Sequence, residues 1–154
     1  MQTIESYKSE FLKYLNNRIE VVEPKNLYEP IQYILSIGGK RLRPILTLLT
    51  CDLFDGNTKK AFDAALAIEV FHNFTLIHDD IMDRASLRRG MDTVHEKWDV
   101  NTGILSGDAM MILANQYLES YEPKLFKKLF VLFNKTGLEV CEGQQMDMDG
   151  DCLR

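Results

Sequence analysis

The sequence holds few of the residues that brace a secreted or fibrous fold. Cysteine occurs three times, as Cys51, Cys141 and Cys152, an odd number with no CxxC pair. That argues against a disulfide framework and points to a reduced, cytoplasmic protein. Four prolines and nine glycines in 154 residues are too few for a collagenous or low-complexity chain. No apolar run approaches the roughly 20 residues of a membrane span, and Met1–Ser6 lacks the basic and apolar regions of a signal peptide. Positive charge is also short. Eighteen Lys and Arg face 23 Asp and Glu, a net charge of −5, which argues against a nucleic-acid partner.

What is present reads as helix after helix, at the length of one domain. Ile4, Tyr7, Phe11, Tyr14, Leu15, Ile19 and Val22 recur at three- and four-residue steps, so residues 2–22 form one amphipathic helix. Pro24 stops it. Asn26 can cap a second helix over Tyr28–Ile37, which Gly38-Gly39 ends. Pro44 suits the first turn of a third, running into Ile45–Leu49. After the turn at Asp55-Gly56-Asn57, with Asn57 or Thr58 as cap, no Gly or Pro occurs from Lys59 to Asp83, so the fourth helix is long and central. A polar loop over 84–101 leads to a fifth helix at Ile104–Ser120, and Pro123 opens a sixth that runs to Met148. No strand alternation is sustained. The expected fold is all-α.

Charge is unevenly spread. Lys40, Arg41 and Arg43, with Arg84, Arg88 and Arg89, place six of the 18 basic residues in ten positions, which suits a compact anionic ligand. In His78-Asp79-Asp80-Ile81-Met82-Asp83, Asp79 and Asp83 fall about 40° apart around a helix, with Asp80 at the border. Carboxylates this close repel one another unless a cation occupies them, and hard oxygen ligands suit Mg²⁺ shared with substrate phosphates. His72, seven residues before Asp79, sits about 20° from it. Alone, such a histidine is more often a structural residue than a ligand. The arginine pair Arg88-Arg89, followed by Gly90, is suited to gripping phosphate. Gly38–Pro44 is no P-loop, because the GxxxxGK[ST] spacing is missing, but it puts Lys40 and Arg43 at a helix start, where free N–H groups also favour an anion.

GGKRLRP (38–44), LIHDDIMD (76–83), LRRG (87–90) with Thr93-Val94-His95, GILSGD (103–108) and GQQMD (143–147) follow in one order. Together they resemble the trans-polyprenyl diphosphate synthases, over the span from about Tyr28 to Asp149. The resemblance implies an isoprenoid synthase-type helical bundle around a central cavity, usually as a homo-oligomer, and an Mg²⁺-dependent enzyme. Such an enzyme condenses an allylic diphosphate with isopentenyl diphosphate. By motif, Asp79 and Asp83, with Asp80 beside them, resemble the metal ligands. Lys40, Arg43, His72 and Arg89 resemble the isopentenyl diphosphate site, and Arg88, Gln144 and Asp147 the allylic side. Phe74 and Thr75 resemble the floor that stops chain growth, which implies a short- to medium-chain product.

One departure is large. The family carries a second aspartate-rich motif downstream, and none exists before Arg154. Residues 1–154 are therefore expected to be the N-terminal part of a single polyprenyl synthase domain, about its first half, and inactive alone. A fragment, a prematurely ended gene, or a non-catalytic helical module or relic that binds diphosphate or a partner subunit would each fit. Gly150–Arg154 is expected to interrupt the last helix.

Overall fold

The computed structural model describes residues 2–151 and divides them into two compact units, one ending at Tyr117 and one beginning at Leu118. In the first unit, α1 (Ile4–Arg18) starts where the Thr3 hydroxyl accepts from the Ser6 N–H. It buries Tyr7, Phe11 and Leu15, one residue per turn on one stripe. The helix ends earlier than the periodicity predicts: Ile19 caps it in extended backbone, and Val22 is exposed beyond it. Two polar clasps fix α1. The Tyr7 hydroxyl donates to Asp52 Oδ2 at 2.5 Å. The Tyr14 hydroxyl donates to Asp63 Oδ1 at 2.6 Å, and Arg18 reaches the same oxygen at 2.7 Å. Burial and Asp63 push the Tyr14 phenol up to about 12.

Helix α2 (Lys25–Ser36) begins after Pro24, not at an Asn26 cap: Pro24 is the capping residue and no side chain closes that end. Gly38 and Gly39 terminate it as expected, at φ of 87° and 133°. Helix α3 (Leu42–Leu53) follows, with Pro44 in its first turn, where a missing N–H costs nothing. The predicted long helix begins as a 3₁₀ turn at Thr58–Lys60, capped by the Asn57 side chain, and becomes α4 at Phe62–Met82. Ala65, Leu66, Ala67, Val70, Phe74 and Ile77 are buried along it, which makes α4 the central element.

The expected polar loop is more ordered than its sequence indicates. Leu87–Arg88 (β1) and Met91–Asp92 (β2) pair antiparallel around Arg89-Gly90, both at positive φ, the backbone that a two-residue hairpin turn requires. Thr93 closes its base: the hydroxyl donates to the Ala85 carbonyl at 2.8 Å and the N–H to Ser86 at 3.0 Å. A single turn, α5 (Val94–Lys97), leads to α6 (Val100–Tyr117). Close passage of α4 and α6 depends on two glycines. A Cβ on Gly107 would lie 2.4 Å from His78 Nε2, and one on Gly103 would lie 3.0 Å from the Ile81 side chain.

In the second unit a 3₁₀ turn at Leu118–Ser120 precedes α7 (Pro123–Asp151). Pro123 opens it as predicted. The break expected at Gly150 is absent, since α7 continues through Asp151; Cys152, Leu153 and Arg154 lie outside the described residues. The fold is all-α apart from the two-residue strands, with seven α-helices among the described residues where six were expected. No described helix is long and apolar enough to cross a membrane.

Candidate functional site

A pocket of about 500 Å³ opens in the first unit, where α1 and three other segments converge. The Gly38–Arg43 turn supplies Lys40 and Arg43, α4 supplies Glu69 and His72, and the hairpin turn supplies Arg89. Backbone strain organises the rim. Arg41 and Arg89 both sit at φ 54°, left-handed backbone that a side chain adopts only when its surroundings hold it there. For Arg41 the hold is a buried ion pair. Its guanidinium donates to Glu69 Oε1 and to the Leu35 carbonyl, and its side chain is 2% exposed. Asn73 Nδ2 donates to the same Glu69 oxygen at 3.0 Å. Arg41 thus anchors the turn from below, and its neighbours Lys40 and Arg43 are left exposed at the rim.

Arg89 bridges the two turns. It donates to the Gly38 carbonyl, and its guanidinium lies where a Gly39 side chain would be: a Cβ there would sit 2.6 Å from Nη1. Gly39 is required for that approach. Arg43 Nη1 lies 3.3 Å from His72 Nε2. Burial, and then the Arg43 charge, hold the His72 imidazole below its usual range, which favours its uncharged form. The four residues that the family resemblance groups around one diphosphate, Lys40, Arg43, His72 and Arg89, all line this pocket.

The acidic motif is divided. Asp80 is 2% exposed, and Arg88 grips it in a bidentate pair, Nε to Oδ2 at 2.8 Å and Nη2 to Oδ1 at 2.7 Å. Asp79 is partly buried and Asp83, the C-cap of α4, is exposed. Burial first, and Asp83 second, raise the Asp79 carboxyl above its ordinary value, while Arg88 lowers it. Two carboxylates one helical turn apart suit one divalent cation, and Mg²⁺ commonly takes one or two protein carboxylates and completes its shell with water and phosphate. Among the described residues no group of three or more His, Cys, Asp or Glu side chains converges as a self-contained metal site. The donor set fits a metal shared with a ligand.

Phe74 is 8% exposed, its ring edge-on to His78 at 4.8 Å and tilted against Phe71 at 5.4 Å. The Thr75 hydroxyl is spent on the His72 carbonyl at 2.8 Å. Gln144 and Asp147 lie one turn apart on α7, half-buried and exposed respectively. Sequence reasoning missed Arg41 as an anchor and Lys8, on α1, as a lining residue. A signal for the first was there: Glu69 is the only charge in the apolar run Ala64–Phe71, and a buried carboxylate needs a partner.

The chain is also similar to known proteins. The Polyprenyl synthetase family model matches residues 24–152. The chain is 42% identical over 137 residues to the geranylgeranyl diphosphate synthase of Methanosarcina mazei, covering 88% of this chain and 42% of that protein. A solved geranylgeranyl pyrophosphate synthase aligns at TM-score 0.95 and 55% identity, over 97% of this chain and 46% of that one. The geranylgeranyl pyrophosphate synthetase of the archaeon Geoglobus acetivorans aligns at TM-score 0.93 and 37% identity, over 96% and 49%. The chain spans less than half the length of these relatives. Motif order, all-α fold and matched length lead to one conclusion: the chain belongs to the polyprenyl synthetase family.

Proposed function

We propose that the chain is the N-terminal part of a polyprenyl synthase domain, and that the whole protein condenses an allylic diphosphate with isopentenyl diphosphate. The observation that carries this is the convergence of Lys40, Arg43, His72 and Arg89 on one pocket. A diphosphate presents oxygens in several directions, and cations arriving from separate elements meet them with charge-assisted hydrogen bonds. The names of the relatives support the same chemistry.

In this reading the pocket holds isopentenyl diphosphate and Arg88 faces the allylic diphosphate. Its bidentate pair with Asp80 fixes the guanidinium in place. Asp79 and Asp83 hold Mg²⁺, which when bound would offset the charge of the departing diphosphate. Gln144 and Asp147 belong to the allylic side by motif alone. The pocket's lining lies entirely within the first unit, which supports diphosphate binding by this chain even without turnover. Product analysis after incubation with Mg²⁺, isopentenyl diphosphate and an allylic diphosphate tests the proposal. The whole protein gives a prenyl product and the 154-residue chain alone gives none; a whole protein that makes no product overturns it.

Phe74 forms the floor of chain growth in this account, packed against Phe71 and His78 as a bulky wall. Phe74→Ala in the whole protein shifts products from short or medium to longer chains, resolved by chain length. Unchanged products would put the floor elsewhere. Helix α7 exposes Val131, Leu132, Leu138 and Met146, at 59–71% of their surface. Apolar exposure of this extent drives association, so the chain is expected to be oligomeric by light scattering. A strictly monomeric species at high concentration would contradict that.

A further inference from the structure

One lining residue of the pocket lies outside the span that the family match covers. Lys8 lies on α1, ahead of residue 24, where the family match begins. Its place there is built. The Tyr7 hydroxyl bond to Asp52, with Phe11 and Leu15 buried, fixes the rotation of α1. The next residue after Tyr7 is turned about 100° around the helix. Lys8 therefore sits at the margin of the buried stripe, half-exposed and facing the pocket.

Its electrostatic company is unusual for an acidic protein. Lys8, Lys40, Arg41, Arg43 and Arg89 line the same space, and Glu69 is the single carboxylate among the lining residues. Arg41 already engages Glu69. Four cations thus face one another across the pocket with no anion assigned to them, an arrangement that a polyvalent anion stabilises. They arrive from α1, the turn before α3, the first turn of α3, and the hairpin. A diphosphate carries more charge and more acceptor oxygens than a single phosphate, and so can engage cations from more of these segments at once.

We propose that Lys8 is a further diphosphate-binding residue of this pocket, contributed by α1, and that it favours a diphosphate over a single phosphate. The inference rests on the pocket being a diphosphate site. Calorimetric titration of the 154-residue chain with inorganic pyrophosphate and with orthophosphate tests it, comparing wild type, Lys8→Met, Lys8→Arg and Lys40→Ala. The Met variant keeps an unbranched apolar stem of similar bulk and removes the ammonium group. Lys8→Met is expected to weaken pyrophosphate binding about five- to tenfold and orthophosphate by less than about twofold, with Lys8→Arg near wild type. Lys13→Met, on the exposed side of the same helix, should bind as wild type does. Wild-type pyrophosphate affinity in Lys8→Met, alongside a loss in Lys40→Ala, overturns the role of Lys8 and leaves the site standing. Equal losses for both anions overturn the selectivity. No loss in Lys40→Ala either overturns the diphosphate reading of the pocket, and Lys8 with it.

Discussion

Arg41→Met is expected to cost about 3–5 kcal/mol of unfolding free energy, because it strands a carboxylate in the interior. Glu69 is 3% exposed, and with the guanidinium gone Asn73 is its remaining hydrogen-bond partner of those described above. The turn suffers as well. Residue 41 keeps its left-handed backbone only while the side chain is tied to Glu69 and to the Leu35 carbonyl, and Lys40 and Arg43 flank it. Pyrophosphate binding should therefore fall together with stability. The double variant Arg41→Met/Glu69→Met separates the two effects. Removing both charges takes away the desolvation cost, so most of the stability returns in urea unfolding. Affinity does not return, because nothing ties the turn down. A double variant as unstable as the single one would show that the ion pair itself, and not an orphaned charge, carries the energy.

Gly39→Ala should weaken the anion site at smaller structural cost. The glycine occupies φ 133°, where a Cβ is strained, and the added methyl would lie 2.6 Å from the Arg89 guanidinium. Arg89 must move, breaking its bond to the Gly38 carbonyl and leaving the pocket mouth. The backbone strain amounts to about 1–3 kcal/mol, while loss of one charge-assisted contact should lower pyrophosphate affinity about tenfold or more. Gly38→Ala is the informative comparison. Nothing lies within 4 Å of a Cβ at Gly38, though its φ of 87° carries strain too. It should lose stability but retain most of the affinity. Equal affinity losses in both variants would mean that backbone strain, and not displacement of Arg89, disrupts the site.

The sequence exposed the helices wherever apolar spacing or a glycine pair set them, and the pocket residues wherever a motif named them. It was silent where tertiary packing chose among neighbours. Asp79, Asp80 and Asp83 look alike in the sequence, and helical geometry alone makes them one cluster. Burial of the α4 end turns Asp80 inward to Arg88, a partner eight residues away across a turn. The hairpin at Leu87–Asp92 is only two residues per strand, too short for alternation to register, although Arg89-Gly90 was its turn signal. Arg41 reads as one more charge in a basic cluster until its left-handed backbone and ion pair are seen. Lys8 has no local signal at all. Its role depends on which way α1 is rotated, and that is set by a tyrosine–aspartate bond spanning 45 residues.

The central claim is that the pocket bounded by Lys40, Arg43, His72 and Arg89 is built for a diphosphate. Titration of inorganic pyrophosphate into the wild-type chain and into Lys40→Ala/Arg43→Ala tests it most directly. Both substituted side chains are exposed, so the variant should unfold as wild type does. The account predicts saturable binding to the wild-type chain that weakens as salt is raised, and no measurable binding to the variant. A wild-type chain that fails to bind pyrophosphate, or a variant that binds it equally well, would contradict it.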